Sequence, residues 1–365
     1  MTILDDIKKM KSIDKSDVYG SIEQLPQQCI HAYGDCETVM VPESYIDINK
    51  IVLTGMGGSG LGARIMESVY ALEIKHPLIR INDYDLPSWA DEKTLVICSS
   101  FSGATAETIE NAKQAIKRGC KWLAIGSGGT LIDLAQENKA PFYKIIPTYN
   151  PSKEPRMAVG YSVVGQLSLS SKAKIINFTK EDLERICSLL EEIVKKCNVE
   201  VPFKNNQAKK LAKKLFNKIV IFVGARHMLG ALHTVKNQLN ENSKTFSTRF
   251  DLPELNHHLM EGLVQPSSNK ENLFFLFIDS DLYPEIIRKR LKITEDVVEK
   301  LGIGSYTFKV AANAKLSQAF EFIQFGGFVN FYLGMLYQTD PAPIPWVDYF
   351  KNRLGQPLGQ WKKSK

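Results

Sequence analysis

The fold of this chain is set by the stretch IVLTGMGGSGLG at residues 51–62. Three apolar residues lead into a glycine-rich turn, and residues 63–71 contain no helix breaker, so the sequence predicts a strand, a turn and a helix. In open α/β sheets such a turn presents backbone N–H groups, at the positive end of a helix, to a bound anion. Glycine permits positive φ angles and lets a phosphate approach the backbone. A tight turn that binds nothing is the alternative, and this stretch alone favours neither.

Strands and helices alternate on the C-terminal side of this stretch. Four further apolar segments follow along the chain, and helical segments lie between them, among them a predicted helix at 107–118. This alternation is typical of a mostly parallel, doubly wound sheet. The predicted strands of this half are 51–53, 78–81, 94–98, 122–125 and 142–146.

The second half repeats the alternation after a proline-containing linker at 147–155. The predicted strands are 218–223, 273–278 and 305–310, followed by helices at 229–240, 284–301 and 319–337. We therefore predict an internal duplication in an α/β protein: two similar doubly wound parallel-sheet lobes with helices on both faces. Only the first lobe keeps a full anion-binding turn. A single large sheet is the weaker alternative.

The predicted domain organisation follows from these patterns. Residues 1–48 form an N-terminal helical segment at the periphery, with one helix near 22–32. Residues 49–150 form the first α/β domain. The linker and connecting helices, at 158–169 and 180–197, belong to a segment spanning 151–204, and residues 205–365 form the second α/β domain with a C-terminal helix.

Composition excludes several classes of protein. The chain has 365 residues, of which 44% are hydrophobic, as in globular proteins large enough for two domains. The net charge is +6, but the basic residues are scattered and form no stripe interleaved with aromatics, so we expect no nucleic-acid partner. The apolar stretch 325–337 is too short to span a membrane, so we expect no membrane partner.

The cysteines and the N-terminus indicate a cytoplasmic protein. No two of the six cysteines form a C-x-x-C pair, and no histidine lies beside them at metal-ligand spacing, so we predict no metal site. A reducing compartment fits this usage better than a disulfide framework. The first residues, MTILDDIKK, lack the apolar region of a signal peptide.

Hydroxyl side chains crowd the end of the third predicted strand. Ser99, Ser100, Ser102 and Thr105 follow the apolar run, and Glu107 opens the next helix. Because parallel strands end at one edge of a sheet, this loop should lie beside the glycine turn and form a second anion-binding element. A helix N-cap at Ser102 is the alternative, but a cap requires one hydroxyl and the loop has four. The pattern therefore favours phosphate binding.

A dinucleotide site is a competing interpretation. Gly55, Gly57 and Gly60 match G-x-G-x-x-G after a strand, and Asp83 ends the next strand at the distance of a ribose-binding carboxylate. An NAD-dependent dehydrogenase would follow. A dinucleotide has no evident need for the hydroxyl loop, whereas a compact phosphate on a small molecule uses it directly.

The second lobe carries an unusually polar segment at 237–244, at the end of a predicted helix whose Val235 and Leu239 should face the core. It contains Glu241, and His257 follows in the segment PELNHH. A carboxylate and an imidazole can share general acid–base catalysis. A solvated surface is the alternative for both segments.

Taken together, these segments resemble the bifunctional phosphoglucose/phosphomannose isomerase family, which has the sugar isomerase (SIS) fold. The resemblance runs from about residue 51 to residue 354. Six motifs occur in the family's order: GMGGSGLG at 55–62, SSFSGATAET at 99–108, EPRMAVGY at 154–161, NENSKT at 240–245, PELNHH at 253–258, and DPAP with DYFKNRL between 340 and 354.

The resemblance implies a role for each candidate catalytic residue. Glu241 would be the base that moves a proton between C1 and C2 of a sugar phosphate, and Arg156 would steady the enediolate charge. His257 would open the sugar ring, in the site of a neighbouring subunit, which implies a homodimer with shared active sites. Lys351 would enter the site from the C-terminal helix. No metal or redox cofactor is required for this chemistry.

The resemblance also implies the substrate-binding residues and three departures from the family pattern. Ala104 and Ala106 stand where Asn and Glu are expected, which implies a reshaped phosphate loop. Ala342 stands where many members carry Thr, which bears on activity toward the mannose epimer. The implied substrate-binding residues are Gly57, Gly58, Ser59, Ser100, Ser102 and Thr105.

Three functions follow as hypotheses. The first is an isomerase that interconverts glucose 6-phosphate, and also mannose 6-phosphate, with fructose 6-phosphate. The second is a regulator that binds a sugar phosphate on the same fold without catalysis, since fold does not fix function. A poised carboxylate at Glu241 would favour the enzyme. The third is the NAD-dependent dehydrogenase.

Overall fold

The computed structural model describes residues 3–358, with side chains from residue 3 to residue 355. The end of the predicted second domain therefore lies outside the described residues. The strands are β1 Lys50–Thr54, β2 Leu78–Ile81, β3 Thr94–Ser99, β4 Lys121–Gly126, β5 Phe142–Lys144, β6 Ile219–Gly224, β7 Ser247–Asp251, β8 Leu273–Asp279 and β9 Gly304–Lys309. The helices are α1 Ile7–Ile13, α2 Val18–Glu23, α3 Leu25–Glu37, α4 Leu61–Val69, α5 Ala106–Lys117, α6 Gly129–Glu137, α7 Val159–Lys172, α8 Lys180–Cys197, α9 Gln207–Leu215, α10 Leu229–Asn242, α11 Asn269–Asn272, α12 Glu285–Lys300, α13 Lys315–Leu336 and α14 Pro345–Leu358.

The strands form two separate parallel sheets. The first has the order β2-β1-β3-β4-β5, and the second has the order β7-β6-β8-β9. The second order repeats the first strand for strand, and only β5 has no counterpart. The predicted α/β fold with two similar lobes is therefore confirmed, and the alternative of one large sheet is wrong. The domain boundaries at residues 150 and 204 stay a prediction.

Both faces of the first sheet are covered by helices. Along β1, Ile51 and Leu53 enter one buried cluster, whereas Val52 enters a second cluster on the other side of the sheet. All six residues of β3 are buried. A parallel strand covered on both sides requires such a continuous apolar run, because neither face meets water.

Two expectations from the sequence need correction. The strand β7 was not predicted, because its sequence STRFD is polar and most of it is only half-buried at the sheet's edge. The N-terminal segment is helical, as predicted, but α3 is not peripheral: it packs against α7 and α8, and Leu25 and Cys29 belong to the main core. The helix also extends to Glu37, beyond the predicted end at residue 32.

Buried helices join the two lobes. Residues Val159 to Ser170 of α7 are all buried, and α10 of the second lobe packs against α4 of the first. The helix α13, at the position of the helix predicted at 319–337, is also buried, including its polar residue Asn330. Between residues 3 and 358, no helix combines the length and apolar character that crossing a membrane requires. This packing places the end of α10 beside the segment that precedes α7.

Candidate functional site

The glycine turn, Gly57–Gly60, forms a short 3-10 helix between β1 and α4. Gly57 has a φ of +50°, and the space beside it is open. Gly58 packs tightly, because a Cβ there would lie 2.9 Å from the backbone nitrogen of Arg156 and from the carbonyl of Pro155. The turn therefore has one open side and one side against the arginine-bearing segment.

The hydroxyl loop at 99–105 lies directly beside the glycine turn. The Phe101 N–H donates to Ser59 Oγ at 2.8 Å, which ties the two loops together. Ser100 Oγ and Thr105 Oγ1 share a hydrogen bond of 2.7 Å, while Ser102 is exposed. The structure thus brings together the two loops that the sequence analysis placed at one edge of the sheet.

The hydroxyls of this loop are not used to cap a helix. The residue before α5 is Thr105, not Ser102, and no side chain forms a capping hydrogen bond there. Ser102 Oγ accepts one hydrogen bond, from the Ala104 N–H at 3.3 Å. Exposed hydroxyl and amide groups at the first turn of α5 can therefore contact an anion.

Arg156 is the most firmly held side chain near these loops. It is 2% exposed, and its guanidinium donates to four acceptors from three parts of the chain. Such a network fixes both the position and the plane of the guanidinium. The acceptors are Asn242 Oδ1 at 2.6 Å, Glu154 Oε2 at 2.6 Å, the Pro341 carbonyl at 3.0 Å and the Ala342 carbonyl at 2.6 Å.

Glu241 lies next to this arginine, near the end of α10. Its Oε2 is 3.7 Å from Arg156 Nη1, and its side chain is 30% exposed. Val235 and Leu239 of the same helix are buried, as predicted. Burial raises the pKa of Glu241 and the Glu154 carboxylate adds to this, whereas Arg156, Lys244 and Lys351 lower it. The net direction is upward, because desolvation of the carboxylate outweighs the charges of its cationic neighbours.

The structure adds one cation that the sequence analysis did not assign. Lys244 Nζ donates to the Glu241 carbonyl at 2.5 Å and to the Pro341 carbonyl at 2.9 Å. Burial, followed by the charge of Arg156, lowers the pKa of Lys244 to about 8. Lys244 stands in the motif NENSKT, and Glu154 stands in EPRMAVGY, so both lie in segments that the sequence analysis singled out.

The remaining two candidates lie at the surface. Lys351 is exposed on α14, and its charge acts on the pKa of Glu241. His257 is exposed at the end of the 3-10 turn Glu254–His257, and within residues 3–355 its side chain has no hydrogen-bond or ion-pair partner. A single chain therefore brings Arg156 and Glu241 together but leaves His257 unengaged.

The sequence of the chain is similar to known proteins over most of its length. Residues 204–354 match the family described as bacterial phospho-glucose isomerase C-terminal SIS domain. Over 347 residues, the chain is 33% identical to a bifunctional phosphoglucose/phosphomannose isomerase from Caldicellulosiruptor bescii, covering 93% of this chain and 99% of that protein.

The chain belongs to the bifunctional phosphoglucose/phosphomannose isomerase family. Solved structures agree with the fold of this isomerase family member. A hypothetical protein from Thermus thermophilus superposes with a TM-score of 0.74 at 16% identity, covering 96% of this chain and 94% of that one. Tagatose-6-phosphate ketose/aldose isomerase from Escherichia coli superposes with a TM-score of 0.70 at 14% identity, covering 90% of this chain and 95% of that one. The predicted SIS-type fold is confirmed.

Two of the three departures from the isomerase pattern, Ala104 and Ala106, lie at the hydroxyl loop and the start of α5, and the third, Ala342, contacts Arg156. Ala104 is exposed and Ala106 opens α5, so their short side chains leave the loop open toward solvent. Ala342 is buried, and its carbonyl accepts from Arg156. A side chain at position 342 is thus placed to influence the arginine directly.

The glycine turn of this isomerase family member is packed against the rest of the chain on one side. One side of the turn, at Gly58, is covered by the chain's own backbone. Asp83 is exposed, and its carboxylate accepts the N–H of its neighbour Tyr84 at 2.7 Å. Tight packing accounts for two of the three glycines in the G-x-G-x-x-G spacing: a Cβ at Gly55 would lie 2.9 Å from the Ser99 carbonyl oxygen, and one at Gly60 would lie 2.7 Å from the Gly55 carbonyl oxygen, whereas the space beside Gly57 is open.

Proposed function

We propose that this protein interconverts glucose 6-phosphate and fructose 6-phosphate, and also mannose 6-phosphate, through an enediol. The observation that carries the proposal is the pair of Arg156 and Glu241, 3.7 Å apart, beside the two loops at the carboxyl ends of β1 and β3. Ligands of open α/β sheets bind at this edge. The membership in the isomerase family supports the same conclusion.

The chemistry follows from the two side chains. An aldose–ketose exchange moves one proton between C1 and C2, and Glu241, with its partial exposure and raised pKa, can both accept and return that proton. Negative charge develops on the C1 and C2 oxygens of the enediolate. Arg156 is already fixed by the protein, so it stabilises that charge without reorganising.

The hydroxyl loop and the glycine turn bind the parts of the substrate that do not change during the reaction. Ser100, Ser102 and Thr105, with the first amides of α5, hold the phosphate. The glycine turn formed by Gly57, Gly58 and Ser59 receives the sugar on its open side, which lies beside Gly57. Lys351, whose charge acts on Glu241, closes the site from the C-terminal helix.

A neighbouring subunit completes the site. His257 is exposed and unengaged in its own chain, which supports a role in the partner's site, where it opens the sugar ring. We therefore propose a homodimer with two-fold symmetry and shared active sites. All six cysteines are free and buried, which supports a cytoplasmic location.

The double variant Ser102→Ala with Thr105→Ala is expected to raise KM for fructose 6-phosphate more than it lowers kcat. Contacts to the phosphate persist from the bound substrate to the transition state, so their loss weakens both to a similar degree. Steady-state kinetics measures both constants, with the exposed Ser188→Ala as control. An unchanged KM would place the phosphate elsewhere.

Mixing two inactive variants, Glu241→Gln and His257→Ala, is expected to restore about a quarter of the wild-type activity. About half of the randomly formed dimers are mixed, and one of the two sites in each holds both intact residues. The matched control mixes Glu241→Gln with Arg156→Lys, which share one site and cannot complement. Full activity in a monomer, shown by light scattering, would refute the shared site.

One assay tests the proposed function itself. The purified protein is incubated with fructose 6-phosphate, and glucose 6-phosphate is detected with a coupled dehydrogenase. We expect continuous formation of glucose 6-phosphate, and of mannose 6-phosphate in a parallel assay. Binding of fructose 6-phosphate without turnover would instead favour the regulator.

A further inference from the structure

The second lobe contains a counterpart of the glycine turn. In the first lobe β1 is followed by Gly55, Met56, a short 3-10 helix and α4; in the second lobe β6 ends at Gly224 and is followed by Ala225, a short 3-10 helix and α10. In the first lobe the 3-10 helix begins at Gly57, with a φ of +50°; in the second it begins at Arg226, with a φ of +52°. An arginine thus occupies the backbone conformation that the first lobe gives to glycine.

This conformation is unfavourable for arginine. A positive φ brings Cβ close to the backbone in any residue except glycine, and Arg226 is one of eight non-glycine residues that adopt it in the described part of the chain. Arg226 is exposed, and between residues 3 and 355 its side chain forms no ion pair or hydrogen bond. Nothing in the folding of the lobe therefore explains why the position carries an arginine.

Arg226 lines a cleft between the two lobes together with three other arginines. The cleft has a volume of about 330 Å³. Each lobe contributes two guanidinium groups, from α4 and β2 of the first lobe and from β7 and the turn after β6 of the second. We call this the arginine cleft: Arg64, Arg80, Arg226 and Arg249.

The positive charge of the arginine cleft is only partly neutralised. Its two carboxylates are both engaged: Glu67 pairs with Arg80 at 2.5 Å, and Asp251 pairs with Arg249 at 2.8 Å. The other two guanidinium groups have no carboxylate partner among the described residues, and Arg64 donates only to the Asn82 amide oxygen, at 3.2 Å. Two positive charges therefore remain.

The excess positive charge lowers the pKa of Arg64 in the cleft and of His233 beside it. Burial, and then the charges of Arg80 and Arg249, lower the pKa of Arg64 to about 10. Burial, and then the charges of Arg64 and Lys236, lower the pKa of His233 to about 3. In the free protein these positive charges repel one another, and a bound anion would reduce that repulsion.

We propose that the arginine cleft binds a small dianionic phosphate, either inorganic phosphate or the phosphate group of a small metabolite, at a second site. Guanidinium groups match phosphate oxygens through paired hydrogen bonds. The cleft lies at the start of α10 and Glu241 lies near its end, eleven residues or about 16 Å after Gly230. The site is therefore separate from the carboxylate base, and the inference does not depend on the proposed function.

Calorimetry with three probes tests the site: inorganic phosphate, pyrophosphate and glucose 6-phosphate. The starting protein is Ser102→Ala with Thr105→Ala, which weakens the phosphate loop. We expect it to bind at least one probe, and we expect Arg226→Gly with Arg249→Gln to weaken that binding at least tenfold. Where the binding is lost in Arg226→Gly with Arg249→Gln, and therefore belongs to the cleft, tighter binding of glucose 6-phosphate than of inorganic phosphate would identify a metabolite as the ligand, and the reverse order would identify the free ion.

The matched control is Lys113→Gln with Lys289→Gln, which removes the same charge from two exposed lysines without ion pairs among the described residues. Arg226→Gly alone should raise Tm, because glycine removes the strain at positive φ, while still weakening binding; this separates lost binding from lost folding. Equal weakening in the control, or no binding of any probe, would overturn the proposal. So would dissociation of a dimer by Arg226→Gly with Arg249→Gln, since the cleft would then hold a second copy of the chain.

Discussion

Glu241→Gln is expected to lower kcat for fructose 6-phosphate by about 10²- to 10⁴-fold, the usual contribution of a general base. The amide keeps the shape of the side chain but cannot accept the proton from C1. Phosphate binding at the hydroxyl loop should survive, so KM should change little. The measurement is kcat in the coupled assay, and the matched control is Glu137→Gln, an exposed glutamate at the end of α6. A small loss of kcat would show that another group is the base.

The same variant should be more stable than the wild type near neutral pH. Burial raises the pKa of Glu241 in the folded protein above its value in the unfolded chain. Below the unfolded pKa both states carry the proton. As the pH rises through the folded pKa, the folded state must ionise a carboxyl that favours its proton, so the free energy of unfolding falls. Glutamine does not ionise and avoids this loss.

Thermal unfolding at two pH values measures the effect. We expect the Tm of Glu241→Gln relative to the wild type to be higher at pH 7.5 than at pH 4. The acid limb of kcat/KM for the wild type should also lie above the ordinary range of a glutamate, since the base must be ionised in the free enzyme. A variant that is less stable at pH 7.5 than at pH 4, relative to the wild type, would show that the ion pair with Arg156 outweighs burial.

Arg156→Lys is expected to lower kcat by about 10²- to 10³-fold, comparable to the loss of a preorganised group that stabilises an oxyanion. Lysine keeps the charge but not the planar fork that reaches Asn242, Glu154 and the carbonyls of residues 341 and 342. Buried acceptors are left without donors, so the free energy of unfolding should fall by about 1–3 kcal/mol.

Urea unfolding and kcat, measured on the same preparation, separate the two effects. Arg185→Lys is the control, since Arg185 is exposed and paired with Asp182 on α8. We expect the control to change neither quantity appreciably, because exposed ion pairs contribute little. A folded Arg156→Lys protein with undiminished kcat would remove Arg156 from the stabilisation of the enediolate.

Much of the fold could be predicted because local signals agree with the final packing. The helix at 180–197 was predicted with its correct bounds, and the structure shows why: Thr179 and Asp182 form a reciprocal capping box at its start. The apolar runs of the central strands were equally clear. The strand β7 and the burial of α3 were not, because a polar edge strand and a modestly apolar helix are fixed by their neighbours and not by their own sequence.

The site was predictable only where topology dictates proximity. The glycine turn and the hydroxyl loop follow neighbouring strands β1 and β3, so their contact follows from the rule for parallel sheets. Arg156 and Glu241 meet only because α10 packs against the segment before α7, which no local pattern encodes. The direction of the pKa shift at Glu241 likewise depends on burial, which sequence alone does not give.

The most direct test of proton transfer by Glu241 is turnover of fructose 6-phosphate in D₂O, followed by NMR. We expect the wild-type protein to form glucose 6-phosphate that carries deuterium at C2, because a proton held by a partly exposed carboxyl exchanges with solvent. We expect Glu241→Gln to lose both product and deuterium incorporation by the same factor. Incorporation by Glu241→Gln at the wild-type rate, or bound fructose 6-phosphate that the wild type never converts, would contradict this mechanism.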